Sequence, residues 1–144
     1  MKIVGVTTTG NVITSSCEQS NAAVTSWTPI TSLPTANWAL AMVTLLGKAY
    51  VFGGATSGNV AQTSVHMYNG TSWVAKAAMS PGRNAPAALA LDDDRALVCG
   101  GYAPSAVVST CVIYTASTDT WTTAPAMAQV RSYFNLVMSE GMWH

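Results

Sequence analysis

Short apolar runs closed by small polar residues set the rhythm of this chain. The clearest stretch is Lys48 to Trp73, K-A-Y-V-F-G-G-A-T-S-G-N-V-A-Q-T-S-V-H-M-Y-N-G-T-S-W. Lys48 to Phe52 is apolar and aromatic, and Thr63 to Tyr68 alternates loosely. The pattern predicts strand, Gly-Gly, loop, strand, turn, and a new strand opening on Trp73. Asn69-Gly70 between two such runs predicts a two-residue type I′ hairpin turn, which needs two residues that tolerate positive φ.

The same sentence is written again downstream and in part at each end. Tryptophans stand at Trp27, Trp73 and Trp121, spaced by 46 and 48 residues. Six positions after each come Leu33, Met79 and Met127, and ten after each come Asn37, Arg83 and Arg131. Gly53-Gly54 recurs as Gly100-Gly101, and Tyr68 as Tyr114. Ile3 to Val12 matches Val51 to Val60, Ser15-Ser16-Cys17 through Trp27 matches Ser109-Thr110-Cys111 through Trp121, and Arg131 to Met138 matches Arg83 to Ala90. A fixed period of this length marks a repeat architecture.

An apolar strand, a strand ending in Gly-Gly, a strand ending in Tyr and a strand opened by Trp make a unit that resembles the kelch repeat. The resemblance covers almost the whole chain, with departures at Val6, where a second glycine is missing, at Ser20, where the tyrosine is missing, and at Asn37, where the family often has Arg. It implies an all-β fold of kelch-like β-propeller blades, each of four antiparallel strands packed face to face on its neighbours. Gly53, Gly54, Gly100 and Gly101 are then positions of close backbone approach. Tyr68, Tyr114, Trp27, Trp73 and Trp121 are expected to fill the space between blades.

With the strands of a blade named A to D, residues 1–27 supply B, C and D, 28–73 a blade, 74–121 a second blade, and 122–144 a lone strand A. That is three blades' worth, whereas propellers close with roughly 4 to 8. Two chains would give six. The expectation is half of a six-bladed propeller, closed as a homodimer in which strand A of one chain lies beside strand B of the other. The alternative is a piece of a longer propeller.

Composition narrows the function. Charged residues make up 8% of the 144, against roughly 25% in an average soluble domain. The net charge is zero and the six basic residues are scattered, which excludes the clustered Lys and Arg of a nucleic-acid partner. No run of about 18 apolar residues predicts a membrane span. The apolar stretch after Lys2 is too short for a signal peptide, which leaves the compartment unknown with a slight lean to the cytoplasm. Cys17, Cys99 and Cys111 form no metal spacing, and Cys17 and Cys111, at equivalent repeat positions, read as small strand residues.

Kelch domains that bind peptides resemble this chain at Pro81 to Asn84, where residues at the entrance of strand A often line the ligand pocket. Carried over by position, this implies Arg83, Asn84, Arg131 and Ser132 as ligand-binding residues, with Asn37 at the equivalent place and Tyr133 and Trp38 as stacking surfaces. The loops Thr7 to Gly10, Ala55 to Asn59 and Tyr102 to Ser105 fall on the same face. A guanidinium there suits carboxylate or phosphate; equally, it can bond the backbone carbonyls of the neighbouring blade. Asp92-Asp93-Asp94 reads as a solvated hairpin turn rather than a cation site.

Nothing points to catalysis, a metal or a cofactor. His66 sits in a strand and His144 is the last residue. Glu18, Asp119 and Glu140 are isolated, and a copper centre like that of galactose oxidase lacks its histidines. The expectation is a non-catalytic interaction module binding a protein, peptide or glycan. Its alternatives are a structural, self-assembling propeller component (engineered or virion-like) and a sugar-active propeller enzyme.

Overall fold

The computed structural model describes residues 2–4, 8–9 and 12–139. The expectations at Val6, Gly10, Glu140 and His144 lie outside these residues. Every element within them is a strand, and every ladder is antiparallel.

The first sheet has three strands in the order β1 (Lys2–Val4), β4 (Cys17–Ser20), β5 (Trp27–Ile30). Between β1 and β4 lies a small hairpin of β2 (Thr8–Thr9) and β3 (Val12–Ile13). The second sheet runs β6 (Ala41–Leu45), β7 (Lys48–Phe52), β8 (Val65–Tyr68), β9 (Trp73–Ala75). The third runs β10 (Ala87–Ala90), β11 (Arg95–Cys99), β14 (Cys111–Thr115), β15 (Thr120–Ala124), with the hairpin of β12 (Tyr102–Ala103) and β13 (Ala106–Val107) inserted after β11. Both complete sheets are meanders in which each strand pairs with the next in sequence. Gly53-Gly54 and Gly100-Gly101 directly follow their second strands, and Tyr68 and Tyr114 end or nearly end their third.

The faces of these strands show how the sheets stack. In β7, every residue after Lys48 is buried, so both faces are covered. Ala49 and Val51 face one core with Cys17, Leu33, Tyr68 and Trp73. Tyr50 and Phe52 face a second core with Val65, Met79, Val98 and Tyr114. Alternate residues of a strand point to opposite faces, so one strand serves both interfaces. The second core is aromatic: Tyr114 lies 5.6 Å from Phe52 and 5.0 Å from Trp121, ring centre to ring centre.

Bonds within and between sheets recur with the period of the sequence. Within each sheet, Leu33, Met79 and Met127 donate a backbone N–H to Ser15, Thr63 and Ser109 O at 2.8, 2.8 and 2.9 Å, extending the ladder between its last two strands. Between sheets, Gly54 N–H bonds Arg83 O at 2.8 Å, and Gly101 N–H bonds Arg131 O at 2.7 Å. The indole N–H of Trp73 reaches Thr31 O at 2.8 Å, and that of Trp121 reaches Ala77 O at 2.9 Å. At Gly53 and Gly100 the approach is so close that an added Cβ would overlap the carbonyl of Arg83 and of Arg131, and both glycines have positive φ. Glycine is required there by space and by backbone conformation.

Four expectations change. The connection after Tyr68 is not a two-residue type I′ turn. Tyr68 faces Trp73, leaving four residues between the strands, and Asn69 Oδ1 accepts from the N–H groups of Thr71 and Ser72. Asparagine's short side chain caps the turn instead of supplying positive φ. The two-residue turn with positive φ at both positions is Leu46-Gly47, between Leu45 and Lys48.

Cys99 and Cys111 are joined by a disulfide across β11 and β14, with Cα atoms 4.1 Å apart. They are a directly opposed pair flanked by the Gly100 N–H to Thr110 O bond, the close pairing of an antiparallel ladder. Disulfides persist in oxidising surroundings and are rare in the cytosol.

Residues 131–138, expected as a lone strand A, form no strand here. In the third sheet the matching residues of β10 are held by the ladder to β11; among the described residues no strand pairs with 131–138. Trp27 is 42% exposed, whereas Trp73 is buried and Trp121 half-buried.

Candidate binding cleft

The connections from a fourth strand to the next first strand share one geometry. Ala39, Ala85 and Tyr133 occupy the same repeat position, and all three have positive φ, at 52°, 51° and 54°. Two of these residues chain the connections together, since Ala85 N–H bonds Ala39 O at 2.9 Å and Tyr133 N–H bonds Ala85 O at 3.2 Å. The residue before each, Trp38, Asn84 and Ser132, is thereby brought to the same end of the molecule. Trp38 pairs with Ala55, and Asn84 with Tyr102, each through two reciprocal backbone bonds of 2.7 to 2.9 Å.

A cleft of about 240 Å³ opens where these connections meet the loops after β7 and β11. Asn59, Asn84, Tyr102, Ser132 and Tyr133 line it. Trp38 stands beside it, its ring centre 6.4 Å from that of Tyr133 and tilted by 35°. Tyr133 is 66% and Tyr102 40% exposed, so two phenol rings face outward around the opening. Asn84 is buried, at 4% exposure, and its Oδ1 accepts no hydrogen bond. Among the described residues no charged side chain lines the cleft.

Of the residues singled out in the sequence, Asn84, Ser132 and Tyr133 line this cleft and Trp38 flanks it. Asn37 and the two arginines are placed elsewhere. Arg83 is completely buried: its Nη1 donates to Gly100 O at 2.7 Å and Thr110 O at 3.0 Å, and its Nη2 to Thr110 Oγ1 at 2.9 Å. Burial pushes its pKa down, and three oxygen acceptors compensate the charge. These acceptors, two carbonyls and the Thr110 hydroxyl, lie in the sequence between Cys99 and Cys111, so the disulfide staples the two segments that grip the guanidinium. Asn37 makes the shorter version of the same bridge, from Nδ2 to Gly53 O at 2.7 Å. Arg131 is exposed, and its carbonyl rather than its side chain holds the third sheet.

Asn59 and Tyr102 did not stand out in the sequence as individual residues, although their loops were placed on this face. The signal was available: Tyr102 follows Gly100-Gly101 directly, at the position that pairs with the Asn84 connection.

The other polar groups serve the frame. Asp119 Oδ1 accepts from Tyr114 OH at 2.6 Å and from Ala77 N–H at 2.8 Å. The Tyr114 bond holds the Asp119 carboxyl below its ordinary pKa, and burial together with Asp119 pushes the Tyr114 phenol far up. Asp92 closes the β10–β11 turn by accepting from Asp94 and Arg95 N–H and pairing with the Arg95 guanidinium at 2.7 Å. His66 in β8 is half-buried, and burial lowers its pKa. Among the described residues no three His, Cys, Asp or Glu side chains come together as a metal site. Compared with family models and with curated proteins, the chain matches none.

Proposed function

We propose that this chain is a non-catalytic interaction module of the kelch type, working as three consecutive blades of a β-propeller whose ring a second copy closes. The observation that carries the reading is the repeated set of bonds between successive sheets. The indole bonds Trp73–Thr31 and Trp121–Ala77, and the glycine bonds Gly54–Arg83 and Gly101–Arg131, stand at equivalent repeat positions, which supports one rotation applied from sheet to sheet. Applied again to both ends, it requires a sheet before the first and after the third.

The inner segments agree with a common axis. Leu40–Met42, Pro86–Ala88 and Phe134–Leu136, equivalent in the three repeats, line one cavity of about 200 Å³. Both ends of the stack carry exposed apolar side chains, Trp27 at one and Val137 and Met138 at the other, with Val137 at 82%. Exposed apolar surface of this kind marks an interaction site. The cleft adds a binding surface made of amides, a hydroxyl and aromatic rings, groups that hold a ligand without reacting with it.

Light scattering across a dilution series tests the assembly. A mass of twice the 15.0 kDa chain that survives dilution is expected. A stable monomer would overturn the two-chain ring and favour the reading in which further blades lie in the same polypeptide.

A further inference from the structure

We infer that the cleft lined by Asn59, Asn84, Tyr102, Ser132 and Tyr133 binds an uncharged sugar ring. The inference rests on the binding-module reading and names its ligand class. Three features select the chemistry. Among the described residues the lining carries no charge, both Nη atoms of the Arg83 guanidinium are turned to Gly100 and Thr110, and Arg131 is not part of the lining. A carboxylate or phosphate would therefore be stripped of water with no cation to meet it, which is costly.

The aromatic rings choose among neutral ligands. Tyr133 and Tyr102 are exposed at the opening and Trp38 lies beside Tyr133. The negative face of an aromatic ring attracts the slightly positive C–H groups of a saturated ring laid on it. Asn84 supplies the polar half. An amide oxygen buried without a donor costs about 1–3 kcal/mol, and a ligand hydroxyl that donates to it removes that cost. Asn59 and Ser132 offer further donors and acceptors for neighbouring hydroxyls.

Size and topology set aside a peptide. The cleft's 240 Å³ falls below the roughly 300–1,000 Å³ of drug-sized sites, room for one ring. A peptide added as a strand needs an open sheet edge, and this cleft is built from loops whose backbone groups are already paired at Asn84–Tyr102 and Trp38–Ala55.

The test is titration of the whole chain with the methyl glycosides of glucose, galactose, mannose and N-acetylglucosamine. Saturation-transfer NMR and tryptophan fluorescence would report binding, with glucuronate, adenosine and an uncharged alanine–proline tetrapeptide as comparisons. At least one neutral glycoside is expected to bind saturably at about millimolar concentration. Binding should weaken by about tenfold or more in Tyr133→Ala, an exposed position whose loss leaves the core intact, and also in Asn84→Asp, which puts a charge beside the ligand. Saturable binding of none of the four, an equal response in Tyr133→Ala, or binding of the tetrapeptide, adenosine or glucuronate in their place would overturn the assignment. Failure here with a stable dimer by light scattering would remove only the ligand class; a monomer that still binds sugar would remove only the ring closure.

Discussion

Arg83 shows how one side chain can be misplaced by its surroundings in sequence and explained by those in space. A guanidinium at the entrance of a strand invites an anionic ligand, yet every bond it makes is to the next sheet's backbone or to Thr110. Arg83→Ala leaves two carbonyls and a hydroxyl without their donor in a buried site, and a loss of about 3 kcal/mol is expected in urea unfolding. Arg83→Lys should recover little of it, because the acceptors are reached from two separate nitrogens of a planar fork that a single ammonium does not reproduce; a lysine variant as stable as the parent would contradict the bridging role. Asp119 gives a pH signature. Its pKa is depressed in the folded chain, so its stabilisation is complete above the unfolded value of about 3.9 and is lost as pH falls through the lower folded value. Asp119→Asn should unfold more easily by about 1 kcal/mol at neutral pH, with the gap closing below about pH 4 in pH-dependent melting.

Turns and staples decide how well each sheet holds its register. Leu46, half exposed, stands at φ 49° in a two-residue turn, a conformation that suits Asn better than a γ-branched chain. Leu46→Asn is expected to stabilise the chain by about 0.5–1 kcal/mol, read as a rise in melting temperature; no rise would mean that the leucine contributes packing the turn needs. The Cys99–Cys111 bond closes a short loop, of sequence separation 12, around the β12–β13 hairpin beside the cleft. Reduction, or the Cys99→Ser/Cys111→Ser pair, should cost about 2–3 kcal/mol, and intact mass with and without alkylation after reduction would verify the bond itself.

At the level of the whole molecule, the apolar ends of the stack are the consequential feature. Val137 is exposed within one chain, so Val137→Lys should leave the chain folded while lowering the scattering mass to that of a monomer. A dimer that survives the charge would place the contact elsewhere. Trp27 offers a second readout at the opposite end: if a second copy closes the proposed ring, its fluorescence should shift to the blue as chain concentration rises.

The residues themselves determined the four-strand period, because hydrophobic alternation, Gly-Gly pairs and spaced tryptophans are local signals that survive repetition. They also placed Trp38, Asn84, Ser132 and Tyr133 at one end, since equivalent positions in stacked repeats must converge. Other features depended on contacts that sequence spacing does not encode. Whether Arg83 faced solvent or carbonyls turned on the depth of the next sheet. Whether Asn69-Gly70 or Leu46-Gly47 made the tight turn turned on strand register, set by side chains buried on both faces of β7. Cys99 and Cys111 met because a hairpin of unmarked length returned β14 to lie opposite β11. Tertiary structure decided these points because each rests on a pairing between residues that no local pattern brings together.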